Sequence, residues 1–184
     1  MTPTRAIDRV ETLRYTVARL LPGFVGVAAT DRGLHRATLP QPTHDEALGL
    51  LRDELLSGAQ RDEEALPPVV QLLERFYAGE MVDFAELPLD LGDRTGFQRQ
   101  VLEAVRRIPR GEVRSYGEVA AGIGHRGAAR AVGSVMASNP VSIVIPCHRV
   151  VASDGSLAGF GGGVEMKQAL LALEGVGCAE LRSR

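Results

Sequence analysis

Two prolines six positions apart, Pro140 and Pro146, enclose the run Val141-Ser142-Ile143-Val144-Ile145. Neither can donate a backbone hydrogen bond, and each pushes the residue before it out of the helical region. The segment therefore predicts a helix that stops at Asn139, then a short buried strand over 141–145 that ends at Pro146. Directly beyond it stands Cys147-His148-Arg149-Val150-Val151. A cysteine beside a histidine at the end of a rigid element reads in two ways, as a buried structural thiol or as a nucleophile with its base. Neighbours on a strand point to opposite faces. The pair can cooperate only if the chain turns at Pro146-Cys147 or a water bridges them.

The 184 residues allow one large domain or two small ones, each with a hydrophobic core. With 45% hydrophobic and 24% charged residues the composition is that of a globular protein. There is no apolar run of the roughly 18 residues a membrane helix needs. The opening Met1–Tyr15 carries acidic residues and no apolar segment, so no signal peptide is expected. The cysteines, Cys147 and Cys178, form no CxxC pair and read as reduced thiols of a cytoplasmic protein. Residues 1–90 hold only His35 and His44 as soft ligands, so no metal and no cofactor is expected.

Charge is uneven. Residues 1–90 carry 9 Arg against 15 acidic residues, whereas 91–150 carry 9 Arg against 4. The basic block is the one that holds the Cys-His pair. Local basicity of this kind suits contact with a few phosphates, or is simply a solvated face.

Arg14–Leu20 and Phe24–Ala29 read as strands around Pro22-Gly23, and Asp31-Arg32-Gly33 as a hairpin turn into Leu34–Leu39. Thr43-His44-Asp45-Glu46 matches a capping box, and Ala47, Leu48, Leu51 and Leu55 carry the helix on. A second helix starts at Pro67-Pro68 and ends at Gly79, and Val82–Leu89 reads as a strand. Leu89–Gly96 is the expected boundary between two domains, 1–90 and 91–184. Thr95 caps a helix over Phe97–Arg107. Helix Gly117–Gly122, the turn Gly124-His125-Arg126-Gly127 and helix Ala128–Ser138 then form a helix-turn-helix. Its second helix is rich in small residues, Ala129, Ala131 and Gly133 among them, and Arg130 is its one long side chain near the start. That pattern fits either close packing inside the protein or close approach to a partner surface. A glycine-rich loop over 152–163 leads to a last helix, Val164–Glu174. The fold class is an α/β N-terminal domain plus a mainly α, winged-helix-like C-terminal domain.

A free thiol is only a few per cent ionised at neutral pH. An imidazole can take its proton, and a carboxylate can orient the imidazole. His148 and Glu174 are the candidates, although spacing alone does not bring them together.

"NPVSIVIPCHRVV", with "GEVRSYGEVA" and "AARAVGSVMASNPV" before it and "FGGGVEMKQALLALEG" after it, resembles the O6-alkylguanine-DNA alkyltransferases over roughly Thr95 to Gly175. The resemblance implies direct-reversal repair of double-stranded DNA: the protein flips out O6-alkylguanine and transfers the alkyl group irreversibly to Cys147, once per molecule. It implies that His148 is the base acting through water and that Glu174 orients it. Tyr116 would donate towards guanine N3, and Asn139 would tie the helix-turn-helix to the active-site segment. Arg130 would enter the duplex from the minor groove and fill the gap of the flipped nucleotide. Ala129, Ala131, Gly133 and Ser115 would lie against DNA, and Val150, Phe160, Gly161 and Ser142 would line the base pocket. Phe160 and Gly161 stand where some relatives carry tyrosine and serine, so hydroxyl contacts there are lost, and Ser142 stands where some carry proline, which leaves the tolerance for bulky alkyl groups open. The resemblance implies a monomer without a membrane anchor, and leaves open activity on O4-alkylthymine and cooperative binding along DNA. Three rival readings are a lesion binder without transfer, a helix-turn-helix regulator with a sensor cysteine, and a cysteine hydrolase. The first lacks an acceptor cysteine, the second lacks a dimerisation segment here, and the third leaves Tyr116, Arg130 and Asn139 without roles.

Overall fold

The computed structural model describes residues 12–64, 66–157 and 159–177. Cys178 and most of the stretch read for a leader lie outside the described residues. Strands β1 (Arg14–Leu20) and β2 (Gly23–Thr30) form an antiparallel hairpin in which Leu20 faces Gly23. β3 (Gly33–Ala37) adds antiparallel to β2. The sheet's other edge is β4 (Gln60–Arg61), parallel to β1, which gives a mixed order β3-β2-β1-β4. The sequence offers no signal for so short a strand, because its two residues are polar and exposed.

Thr43 makes the expected capping box with Glu46. The helix it opens does not run through to Leu55. It divides into α1 (His44–Gly49) and α2 (Arg52–Leu56), with a tight turn in which the Leu51 N–H bonds Leu48 O at 3.0 Å. The break turns Leu51 inward, fully buried against Gly26, where a Cβ would meet it at 3.0 Å. α3 (Pro67–Tyr77) starts on its two prolines, whose missing N–H groups cost nothing in a first turn. Val82–Leu89 is not a strand. It is a looped segment whose end alone bridges β3, with the Leu34 N–H on Pro88 O at 2.8 Å and the Asp90 N–H on Leu34 O at 2.9 Å.

Thr95 caps α4 (Gly96–Arg106) through a capping box with Gln98. β5 (Arg114–Ser115), α5 (Tyr116–Gly122) and α6 (Ala129–Ala137) follow, and α5 and α6 make the helix-turn-helix. Gly124 and Gly127 take positive φ in its turn, which an L side chain rarely adopts. Val119 and Ala120 of α5 and Val132, Val135 and Met136 of α6 are buried, and α4 packs against both helices. After a 3-10 turn at Cys147–Arg149, β6 (Val150–Val151) pairs parallel with β5, and α7 (Gly163–Leu173) is the last helix among the described residues.

The expected strand over 141–145 is absent. Val141 and Ser142 bridge β3 and Ile145 respectively, and Ile143-Val144 turn the chain back so that the Ile145 N–H reaches Val141 O at 2.9 Å. Ile143 takes φ 71, a region a β-branched side chain enters only under constraint, at a cost of about 1–3 kcal/mol. Asn139 supplies the constraint. Its Nδ2 donates to Ile145 O at 2.8 Å, and its Oδ1 accepts from the Val141 N–H at 3.1 Å. Burial of Ile143, Val144 and Ile145 supplies the rest. The turn is stitched to the sheet by the Ala37 N–H on Pro140 O (3.0 Å) and the Ser142 N–H on Ala37 O (2.9 Å). One hydrophobic cluster accordingly runs from Val25 and Val27 of the sheet to Cys147 and Val150.

Asn139→Ala strands two backbone groups, so it is expected to lower the unfolding free energy by about 2–3 kcal/mol. Loss of the Thr95 cap in Thr95→Ala should cost only about 1 kcal/mol. Urea unfolding of both variants at pH 7.5 measures the difference, and equal losses would contradict the clamp.

Candidate active site

Cys147 opens the 3-10 turn, so it stands on a tight turn and not on a strand end as the sequence suggests. On this turn the two are no longer alternating strand neighbours: Cys147 lines a pocket and His148 is fully buried. Cys147 lines a narrow pocket of about 60 Å³ together with Asn139, Ser142, Phe160, Gly161, Leu39, Met136, Ala137 and Gly159. Four of the predicted site residues thus meet the thiol there. A larger cleft of about 480 Å³ between Met81–Ala85 and Arg106–Arg110 contains no candidate nucleophile.

His148 points inward and is fully buried. Its Nε2 lies 3.0 Å from Glu174 Oε1. Glu174, the C-cap of α7, also accepts from Arg149 Nε at 2.8 Å and from Arg149 Nη2 at 2.7 Å. Burial alone would raise the Glu174 carboxyl, but the His148 and Arg149 hydrogen bonds and charges outweigh it and hold the group at about 2. A carboxylate only accepts, so His148 carries its proton on Nε2 and offers Nδ1 as a lone pair. That Nδ1 is buried without a protein partner. Burial pushes the His148 pKa down, against the pull of Glu174, and the charges of Arg149 and Lys167 push the same way as burial. Burial pushes the Cys147 thiol up, opposed by the Asn139 side chain and the Lys167 charge. At neutral pH the resting pair is thus thiol and neutral imidazole.

Tyr116 begins α5, with its ring under Gly133 of α6 and its hydroxyl beside Gly159: a Cβ on either glycine would lie 3.9 and 3.5 Å from it. Burial, then the neighbouring Cys147, raise its phenol pKa, so it stays a proton donor. Val150, expected to line the pocket, is not among the residues around it; it is fully buried, with its carbonyl bound by Lys167 Nζ at 2.6 Å. Ser115 caps α5, its hydroxyl accepting the Glu118 N–H at 3.1 Å. On α6, Arg130 and Ala131 are exposed, Ala129 and Gly133 half-exposed. No ion pair or side-chain hydrogen bond holds Arg130 among the described residues.

Two residues of the site escape the sequence reading. Arg149 is the clamp on Glu174, and its third nitrogen, Nη1, donates to Ile108 O at the end of α4. Lys167, the chain's single lysine, is fully buried, its pKa brought down by burial to about 8 although Cys147 opposes this. Its uniqueness among 20 arginines, and its place on the Leu170–Leu171 face of α7, are signals that pattern reading could have used. The basic block is also narrower than it looks. Arg106 and Arg110 donate to backbone carbonyls of Phe84, Ala85, Leu87, Gly79, Glu80 and Leu173. Arg99 donates to the carbonyls of Gly92 and Arg94, and Arg107 and Arg114 pair with Glu103 and Glu112. Arg126 and Arg130 remain outward-facing on the helix-turn-helix.

Residues 96–176 match the family described as 6-O-methylguanine DNA methyltransferase, DNA binding domain. A methylated-DNA–protein-cysteine methyltransferase of Mycolicibacterium paratuberculosis is 43% identical over 150 residues, covering 72% of this chain and 90% of that protein. The crystal structure of Mycobacterium tuberculosis O6-methylguanine methyltransferase superposes with a TM-score of 0.74 at 35% identity, over 94% of this chain and 96% of that one. The same mycobacterial protein solved in complex with DNA superposes at 0.72.

Acid should undo the buried network in a defined order. The lowered His148 pKa withdraws stability as pH falls through its ordinary value near 6.5. The lowered Glu174 pKa withdraws on the order of 3 kcal/mol as pH falls from 4.5 towards 2. Urea unfolding at a series of pH values from 7.5 to 3 reads this, with Glu174→Gln expected to flatten the part below 4.5. A stability profile that is flat from 7.5 to 3 would contradict the assignment.

Proposed function

This chain belongs to the methylated-DNA–protein-cysteine methyltransferase family, which repairs O6-methylguanine in DNA by moving the methyl group to an active-site cysteine, and we propose that Cys147 is that cysteine. What carries the reading is the meeting of a pocket thiol, an imidazole with its Nδ1 free to accept, and a carboxylate clamped by arginine.

The thiol's proton passes through a water to His148 Nδ1, and Glu174 stabilises the imidazolium that forms. The thiolate attacks the methyl carbon. The S–C bond forms as the C–O6 bond breaks, and the electron pair stays on guanine, where the Tyr116 hydroxyl donates towards N3. The thioether left on Cys147 has no nucleophile in the site to remove it, so one molecule repairs one base. Asn139 keeps the turn that presents the sulfur, and Ser142, Phe160, Gly161 and the backbone at Val150 surround the base. The pocket of about 60 Å³ is smaller than the roughly 300–1,000 Å³ of ligand sites, so the loop over 159–162 moves outward to admit the base.

A base stacked in a duplex cannot bring its O6 substituent to the thiol inside the pocket, so it is rotated out first. α6 approaches the minor groove on Ala129, Ala131 and Gly133, with Ser115 at the start of α5 beside it. Arg130 takes the place of the flipped nucleotide, and Arg126 meets the backbone. The acting unit is a monomer, with residues 1–90 as a supporting domain and 91–184 as the DNA-binding and transfer domain. A cytoplasmic location fits a substrate that is DNA.

Incubated with a duplex containing O6-methylguanine, the intact protein should gain one methyl group on Cys147 and turn over once, as read by mass spectrometry with peptide mapping. Repeated turnover, or a methyl group elsewhere, would overturn the assignment. Arg130→Ala should slow repair of the duplex by about 10-fold or more, a few kcal/mol of lost flipping assistance. The same variant should react with free O6-benzylguanine at the parent rate, and equal losses on both substrates would remove Arg130 from the flipping step.

A further inference from the structure

Among the described residues, six buried side-chain nitrogen or oxygen atoms lack a hydrogen-bond partner. Four belong to charged heads with other polar atoms: the Nε of Arg14, Arg94 and Arg106, and Oε2 of Glu54. The other two are His148 Nδ1 and the hydroxyl of Tyr77, which is that side chain's only polar atom. A buried hydroxyl with no partner costs stability. Nothing in α3 calls for one at a position that Phe would fill equally well.

Tyr77 ends α3 in the N-terminal part of the chain, buried in the same cluster as Cys147. Its ring packs edge-on against Phe76 with centroids 5.3 Å apart, and Phe76 in turn lies 6.3 Å from the His148 ring. Arg110 covers Phe76 at 5.9 Å and donates to Gly79 O just past α3 and to Leu173 O beside Glu174. That fixes the end of α3 over the His148–Glu174 pair. Tyr77 and Cys147 share the same buried cluster. They are close enough that negative charge on the sulfur adds to burial in raising the phenol's pKa. The hydroxyl therefore keeps its proton while the thiol loses its own.

We propose that Tyr77 is a positioning residue of the transfer reaction: its hydroxyl, His148 Nδ1 and the Cys147 thiol hold one common water, and Tyr77 fixes that water on the path of the thiol's proton. Resting on the acceptor role of Cys147, the assignment adds a residue from outside the helix-turn-helix half. Three partners are what a buried water ordinarily needs, and two partners on a mobile thiol and an imidazole leave it poorly located. In the step itself the S–H bond breaks as an O–H bond forms on the water. The water's own O–H breaks as N–H forms at Nδ1. The Tyr77 O–H donates to the water oxygen throughout and neither gains nor loses a proton. The titratable and charged groups around this relay are Cys147, His148 and Tyr116, with Glu174 and Arg149 behind the imidazole, Lys167 acting on both sulfur and ring, and Arg110 across Phe76.

Tyr77→Phe keeps the ring and removes only the hydroxyl. Single-turnover benzyl transfer from O6-benzylguanine, measured from pH 6 to 10 on the full chain, should be slower in the variant by about tenfold at pH 7, part of the 10²–10⁴-fold that positioned proton transfer supplies. The deficit should shrink as pH rises and thiolate forms without the relay. Binding to unmodified duplex should not change. A bystander hydroxyl predicts the opposite pattern: equal rates at every pH and a higher melting temperature from removal of an unpartnered group. That result overturns the proposal. A rate deficit of the same size at every pH also overturns it, since a packing defect would not follow thiol ionisation. Tyr77→Leu, which disturbs packing as well, should show the same pH-dependent deficit with an added pH-independent one. A wild-type protein that takes up no benzyl group would instead remove the acceptor role itself.

Discussion

The carboxylate of Glu174, itself buried, accepts three hydrogen bonds at 2.7–3.0 Å, one from His148 and two from Arg149. A lone buried carboxylate would take up a proton, and a lone buried guanidinium would cost far more than its packing returns. Together they are satisfied, and through them three distant stretches of chain meet: the 3-10 turn, the end of α7 and, by way of Arg149 Nη1, the end of α4. Arg110 adds a second tie between α3 and the same end of α7. The tautomer of His148, the direction of its free nitrogen and the seating of the cysteine turn all follow from this one ionised group.

With the carboxylate fixed, burial decides the resting state of the reactive pair. It raises the thiol and lowers the imidazole, so neither carries charge in the free protein at neutral pH. A thiolate standing in a cleft would be open to oxidation and to stray electrophiles. A protein that spends its sulfur once has most to lose from such side reactions, and a neutral buried thiol, 8% exposed, is the protected form. Lys167 and Asn139 both favour the thiolate, so ionisation is within reach when a substrate carbon arrives.

The sequence made much of this legible, and the failures share a cause. The capping box at Thr43, the N-cap at Thr95, the prolines of α3 and the glycines of the helix-turn-helix are local signals, and the structure uses each of them. The run over 141–145 misled because β-branched residues between prolines are a strand pattern, whereas Asn139, through two side-chain hydrogen bonds, bends them into a turn with Ile143 at positive φ. Residue type nominates Glu174 without placing it, and spacing gives Arg149 and Lys167 no role. Their partners lie 25 and 17 positions away, beyond what spacing can show. Tyr77 sits in a part of the chain without any motif, and only its unpartnered hydroxyl marks it.

The arginines make the same distinction on a larger scale. As a block, residues 91–150 look like a phosphate-binding surface, with 9 Arg against 4 acidic residues. In the fold, most of those guanidinium groups are turned to carbonyls and carboxylates of the chain itself, where their planar forks bridge loops that lack regular hydrogen bonding. What faces outward on the helix-turn-helix is a pair, Arg126 and Arg130, beside a strip of small residues. Two outward guanidinium groups on that face are fewer than the roughly six to ten phosphate contacts that make binding steeply salt-dependent. On the proposed role of Arg130, discrimination comes from the cost of flipping, which is lowest where an alkylated base is already badly paired.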